Sequence, residues 1–233
     1  MKRAFLLLAG AAFLAHPIAA QEETAGPTAV EPSSGVAFPL EIKVPGTENV
    51  ERLMGMGIRT KTFLKVKVYA FGLYVDPVGA REALAEFAGK SAKELEKDPL
   101  FYGALLEREF SMSLRLVMTR NVGGEDMAEA FDGALRPRVQ EAALSMDMQG
   151  GEDALDQFRG FFNVDEMTKE SEIVFSCDAD GVLRTSVKGI VEPEIDSPAL
   201  CWALFDVYLG KKPISGDGKK KIVQGFPELL AGN

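Results

Sequence analysis

Through residues 109–119 apolar and mostly polar positions alternate, with Phe110, Met112, Leu114, Leu116 and Met118 on one side. A period of two predicts a half-buried strand. Through residues 124–146 the period changes: Met127, Phe131 and Ala134 recur at i, i+4, i+7, which predicts a helix with one apolar face, kinked or divided at Pro137. The same reading gives strands at 41–44 and 50–59, the second weakened by Gly55 and Gly57, and a long β-rich run at 62–76. Helices are expected at 80–88, at 92–106 with a break near Asp98-Pro99, and at 152–162. Strands at 172–177 and 182–188 flank Asp178-Ala179-Asp180-Gly181, a hairpin turn. Ser197-Pro198 caps a helix that runs to Leu209 and stops at Gly210, and a last helix covers 215–230. Strands early and late with helices between them predict an α+β domain over residues 41–233, an antiparallel sheet with helices packed on one face.

The ends of the chain read differently. Lys2 and Arg3 precede an apolar run, residues 4–15; His16-Pro17 breaks it, and Ile18-Ala19-Ala20 leads into Gln21-Glu22-Glu23. This is the pattern of a secretory signal peptide cut near Ala20, with a core too short to span a bilayer. It predicts export, to a periplasm or the exterior. No Cys follows the run, which argues against lipid-anchor processing. Residues 21–40 are rich in Glu, Thr, Pro, Ser and Gly without apolar periodicity, and predict a flexible leader.

Composition narrows the chemistry. The 233 residues are 46% hydrophobic and 26% charged, enough for a packed core. A net charge of −9 argues against nucleic acid, and against attachment to anionic lipid. The single histidine, His16, lies in the segment expected to be removed. Without it there is no imidazole for a catalytic triad or for a histidine-ligated zinc or haem. Asp178 and Asp180 fit a turn better than a metal site, and Gly123-Gly124 matches no phosphate-binding fingerprint. No metal or cofactor is therefore expected. Cys177 and Cys201 could form a disulfide after export, or could be two small apolar residues.

Four segments in order carry a family resemblance: GMGIRTKTFLKVKVYAFGLYVD (55–76), GKSAKELEKDPLFY (89–102), TRNVGGEDMAEAF (119–131) and LGKKPISGDGKKKIVQGFPELL (209–230). Together they resemble the chalcone isomerase fold over most of residues 45–231. That family has plant enzymes that close chalcones to flavanones, fatty-acid-binding members, and bacterial exported homologues. The signal segment puts the chain nearest the third branch. The enzymes use an Arg, a strand Thr, a helix Tyr and Asn, and a late-helix Thr. The resemblance places these on Arg59, Tyr69, Met127, Ala134 and Val207, so only the Arg is retained. A wall of Met127, Phe131, Ala134 and Val207 cannot donate to a developing oxyanion.

An Arg beside a Tyr, at the end of an apolar cavity, is instead what the fatty-acid-binding branch resembles. The resemblance thus implies a small apolar carboxylate held by Arg59 and Tyr69. One alternative is an isomerase (an intramolecular lyase) acting on a phenolic enone, with a polyphenol ligand and Arg59 as its catalytic residue. Another is a non-catalytic envelope protein that binds a partner the residues do not name. Each candidate also has a plain structural role: Arg59 paired to an internal carboxylate, Tyr69 a strand aromatic, and Met127, Phe131 and Ala134 core. Lys65 and Lys67 share the strand parity of Tyr69 and read as a solvated rim. Lys211, Lys212, Lys219, Lys220 and Lys221 read as a solvated basic face.

Overall fold

A computed structural model describes residues 26–61, 64–107 and 109–232. The expected signal segment lies outside the described residues. The strands are β1 Thr28–Val30, β2 Ala37–Pro39, β3 Glu41–Lys43, β4 Val50–Lys61, β5 Val66–Val75, β6 Met112–Met118, β7 Val122–Gly123, β8 Glu166–Met167, β9 Glu172–Cys177, β10 Val182–Val187, β11 Ile190–Val191 and β12 Ile195–Asp196. The helices are α1 Pro77–Ala83, α2 Ala92–Leu95, α3 Pro99–Glu107, α4 Gly124–Ser145, α5 Glu152–Gly160, α6 Pro198–Leu209, α7 Gly216–Val223 and α8 Phe226–Leu230.

The main sheet runs β11-β10-β9-β6-β5-β4-β3, with β12 on β10, and every pairing is antiparallel. Its inner face carries Phe71, Leu73, Leu114, Leu116 and Phe175 into the main core with α4 and α6. Its outer face carries Ala70, Tyr74 and Val117, which pack with Phe38 in a second, smaller core. The fold is α+β as the pattern predicts.

Phe38 belongs to the segment expected to be a flexible leader. Residues 28–39 instead form a β1–β2 hairpin laid over the outer face, with Phe38 fully buried and Tyr74 Oη donating to Pro39 O at 3.0 Å. Burial of one aromatic supplies the order that the polar composition does not advertise. The same hairpin makes β6 buried at every position rather than half-buried.

Other differences have local causes. α4 runs through Pro137 undivided. The expected last helix is two, α7 and α8, broken around Gly225, where a Cβ would stand 2.1 Å from Met54 O. Gly55 and Gly57 do not weaken β4. They admit α7, since a Cβ on Gly55 would meet Lys221 O at 2.4 Å and one on Gly57 would meet Gly218 Cα at 2.7 Å. Helix backbone lies directly on strand backbone there.

Two register shifts decide which side chains face which way. One falls between Leu53 and Gly55, the other between Arg59 and Thr60. Glu51 and Arg59 have the same parity along β4, so a regular strand would put them on one face. The extra residue at Met54 sends Leu53 outward and Gly57 inward, and Arg59 follows Gly57.

Candidate functional site

Arg59 and Tyr69 are direct cross-strand partners on β4 and β5. The second shift leaves Val68 as an extra residue, so Val66, Val68 and Tyr69 all line the inner side. Lys67 therefore does not share a face with Tyr69. It turns outward and donates to Ser33 O of the β1–β2 hairpin, and Lys65 sits in the β4–β5 turn at φ 52°. The bulge overrides the parity of the sequence.

Beyond Gly57, β4 and β5 border a cavity of about 370 Å³. Its walls come from three directions. β4 and β5 supply Arg59 and Tyr69, α4 supplies Met127, Phe131 and Ala134 on its apolar stripe, and α6 supplies Leu204, Val207 and Tyr208 at i, i+3, i+4. Phe131 packs edge-on against Phe158 and Phe175, closing the apolar end. At the other end stand Lys61, Arg120 and Asp126, all exposed.

The two helical walls are fixed to each other and to the sheet. Arg138 Nε donates to Asp206 Oδ2 at 2.7 Å, and its Nη1 donates to Ala134 O at 2.7 Å. Ser197 caps α6 through Leu200 N. Cys177, at the end of β9, is joined to Cys201 of α6 by a disulfide. Of the two roles open for these cysteines in the sequence, the structure shows the bridge.

Arg59 is half-buried, and it makes no ion pair with any described carboxylate. Asp126 lines the same cavity without pairing to it. Opposite Arg59, the hydroxyls of Tyr69 and Tyr208 are hydrogen-bonded at 3.0 Å, both buried. Burial pushes the Tyr69 phenol up, against the Tyr208 bond and the Arg59 charge that pull it down. Tyr208 is pushed well up, again by burial first. Both are neutral hydroxyls at ordinary pH. Two hydroxyls sharing one hydrogen bond keep one proton to offer, and a guanidinium has donors only. The polar corner therefore suits a group that only accepts: an ionised carboxylate or a similar anion.

All six residues that the sequence singles out, Arg59, Tyr69, Met127, Phe131, Ala134 and Val207, line this one cavity. Tyr208 joins them without having been singled out, although its i+4 spacing from Leu204 is a signal that finds it. Lys61 and Arg120 carry no periodic signal. Among the basic residues expected on a solvated face, Lys219 is tied down, donating to Gly210 O at 2.8 Å over the Tyr102 ring, and Lys221 lies 3.6 Å from the buried Glu31. Among the described residues no group of three or more His, Cys, Asp or Glu could hold a metal ion.

Comparison with known proteins gives four findings. A family model described as chalcone isomerase like matches residues 49–223. Fatty-acid-binding protein 2 of Arabidopsis thaliana is 32% identical over 200 residues, covering 83% of this chain and 49% of that one, so the chain spans about half the length of this relative. Chalcone–flavanone isomerase of Oryza sativa subsp. japonica is 27% identical over 207 residues, covering 84% and 88%. The crystal structure of an Arabidopsis thaliana fatty-acid binding protein superposes with a TM-score of 0.75 at 24% identity, covering 88% of this chain and all of that one; this likeness is one of fold.

Proposed function

Because this chain belongs to the chalcone isomerase-like family, we propose that it binds a fatty acid or a similar small apolar carboxylate, with Arg59 and the Tyr69–Tyr208 pair on the carboxylate and the tail against α4 and α6. The observation that carries this is a guanidinium facing an apolar cavity without a carboxylate partner among the described residues. A guanidinium cannot shed its charge, and in a low-dielectric pocket it gains from an anionic guest. Relatives named as fatty-acid-binding proteins add support. The expected signal segment and the disulfide favour an exported protein working in an oxidising compartment.

Titration with a fluorescent fatty acid tests the reading. Arg59→Ala is expected to weaken binding by about 2 kcal/mol, the size of a charge-assisted hydrogen bond. Equal affinity in both proteins would sink it.

Ring closure of a chalcone is the second reading, favoured by the isomerase relatives and by Arg59 itself. Against it stand Met127, Ala134 and Val207 on the cavity wall, none of which can donate to an oxyanion. A chalcone absorbance assay with the buffer rate subtracted separates the two; an Arg59-dependent rate would favour the enzyme.

A further inference from the structure

Arginine pairing sets the cavity apart from the rest of the molecule. Arg52, Arg115, Arg136, Arg138, Arg159 and Arg184 each form an ion pair with a carboxylate. Among the described residues Arg59, Arg81 and Arg120 form none, and Arg59 and Arg120 line the same cavity. Lys61 lines it too and is likewise without an ion pair to any described carboxylate. The one carboxylate in the lining is Asp126, in the first turn of α4, where a negative side chain complements the helix dipole. Of the neighbouring acids, Glu125 accepts from Arg159 at 3.2 Å and Glu166 from Asn121 at 2.9 Å. Three cations and one carboxylate therefore line the cavity, and a ligand with a single carboxylate would leave one cation unmatched.

The cations lie at two depths. Arg59, Tyr69 and Met118 form one line across β4, β5 and β6. Lys61 is two residues beyond Arg59 and Arg120 two beyond Met118, so each lies up to about 7 Å farther out, at the rise of an extended chain. The residues on either side of Arg120 are tied down. Thr119 N donates to Val68 O at 3.0 Å, and the Asn121 side chain accepts from Lys169 N at 2.8 Å while donating to Glu166.

We propose that the cavity takes a single-chain acid whose head carries two negative charges, one carboxylate on Arg59 and the Tyr69–Tyr208 pair and a second farther out on Arg120, assisted by Lys61. The inner position rests on the function proposed above; the outer one is added by the unpaired Arg120. A plain fatty acid fills the inner position alone, whereas an amphiphile with a dicarboxylate head fills both. An ion pair at an exposed mouth strengthens binding by up to about fivefold, and salt weakens it.

Calorimetric titration with N-dodecanoyl-glutamate and N-dodecanoyl-glutamine, alike in shape and different by one negative charge, tests this, with dodecanoate alongside. The wild-type protein is expected to prefer the glutamate conjugate by about fivefold at low salt and by less at high salt. Arg120→Gln should bring the ratio of the two affinities close to one, and Arg120→Lys should keep most of it. Each ratio is measured within one protein, so a general loss of folding or affinity does not imitate the result. Equal affinities in the wild-type protein, or a preference that persists in Arg120→Gln, would overturn the proposal. If dodecanoate still binds through Arg59 in that case, the fatty-acid reading stands and only the second charge is lost. An Arg120-dependent preference that survives Arg59→Ala would support the outer position and remove the inner one. No binding of any of the three ligands would overturn both.

Discussion

The two faces of the main sheet treat buried charge in different ways. On the outer face, Arg115 is only 9% exposed, but it is fully engaged: Nε and Nη2 both donate to Glu172, Nη1 donates to Ala37 O at 3.2 Å, and the guanidinium lies 5.1 Å over the Phe38 ring. Glu51, also on that face and 1% exposed, pairs with no described cation. It accepts from Ser111, its Oε2 is unsatisfied, and burial with Asp76 nearby pushes its carboxyl up to about 7 despite hydroxyl bonds that pull it down. On the inner face Arg59 has neither escape. No described carboxylate pairs with it, and a guanidinium does not deprotonate in the working pH range. A buried charge can be paired internally, neutralised by a proton, or left for a guest. The outer face uses the first two; half-buried Arg59, without a described carboxylate partner, is the charge that the proposed ligand would pair.

This contrast can be broken experimentally, and the largest expected effect is at Glu51. Its folded-state pKa, about 7, lies above the unfolded value of 4.5. The folded protein therefore holds the extra proton in between. Its contribution to stability is complete below about pH 4.5, falls as pH rises, and has lost about 3 kcal/mol above pH 7. Glu51→Gln should cancel that slope, so the wild-type minus variant difference in urea unfolding should grow between pH 5 and pH 7, as placed by the same shift. A pH-independent difference would put Glu51 in an ordinary environment.

Next in size is Glu172→Ala, which strips Arg115 of its partner. Glu172 is itself partly exposed, so the loss of stability should be about 2 kcal/mol, below that for breaking a fully buried pair. Affinity for a fatty acid should not move. Arg59→Ala should behave the opposite way, with stability unchanged or slightly raised and affinity reduced. If both variants destabilise alike, the two arginines are equivalent and the comparison fails. The smallest effect is expected for Tyr208→Phe, which removes the bond that orients the Tyr69 hydroxyl. It should weaken fatty-acid binding by about 1 kcal/mol, measured by the same titration, without changing the fold.

Much of this architecture is legible in the amino-acid string. A period-two run marks β6, the Asp178–Gly181 turn marks β9 and β10, a 3.6-residue stripe marks α4, and Ser197-Pro198 and Gly210 bound α6, because these signals are local and survive in a linear order of residues. The same stripe already holds Met127, Phe131 and Ala134. Other features depend on residues far apart in sequence. The leader becomes a hairpin because Phe38 finds the outer face, and Gly55 and Gly57 belong in a strand because α7 needs room against them.

Element types, the α+β class and the residues able to form an apolar pocket with Arg59 beside it follow from residue order alone, since periodicity and side-chain chemistry are properties of the string. Which charge stays unpaired is settled by packing between segments far apart in the chain. Single-residue bulges at Met54 and Val68 set the facing of Arg59 and Lys67, and the approach of segments far apart in the chain pairs Arg115 with Glu172 and Tyr69 with Tyr208. A strand flips every side chain when it gains one residue, and no local pattern records where that residue is gained.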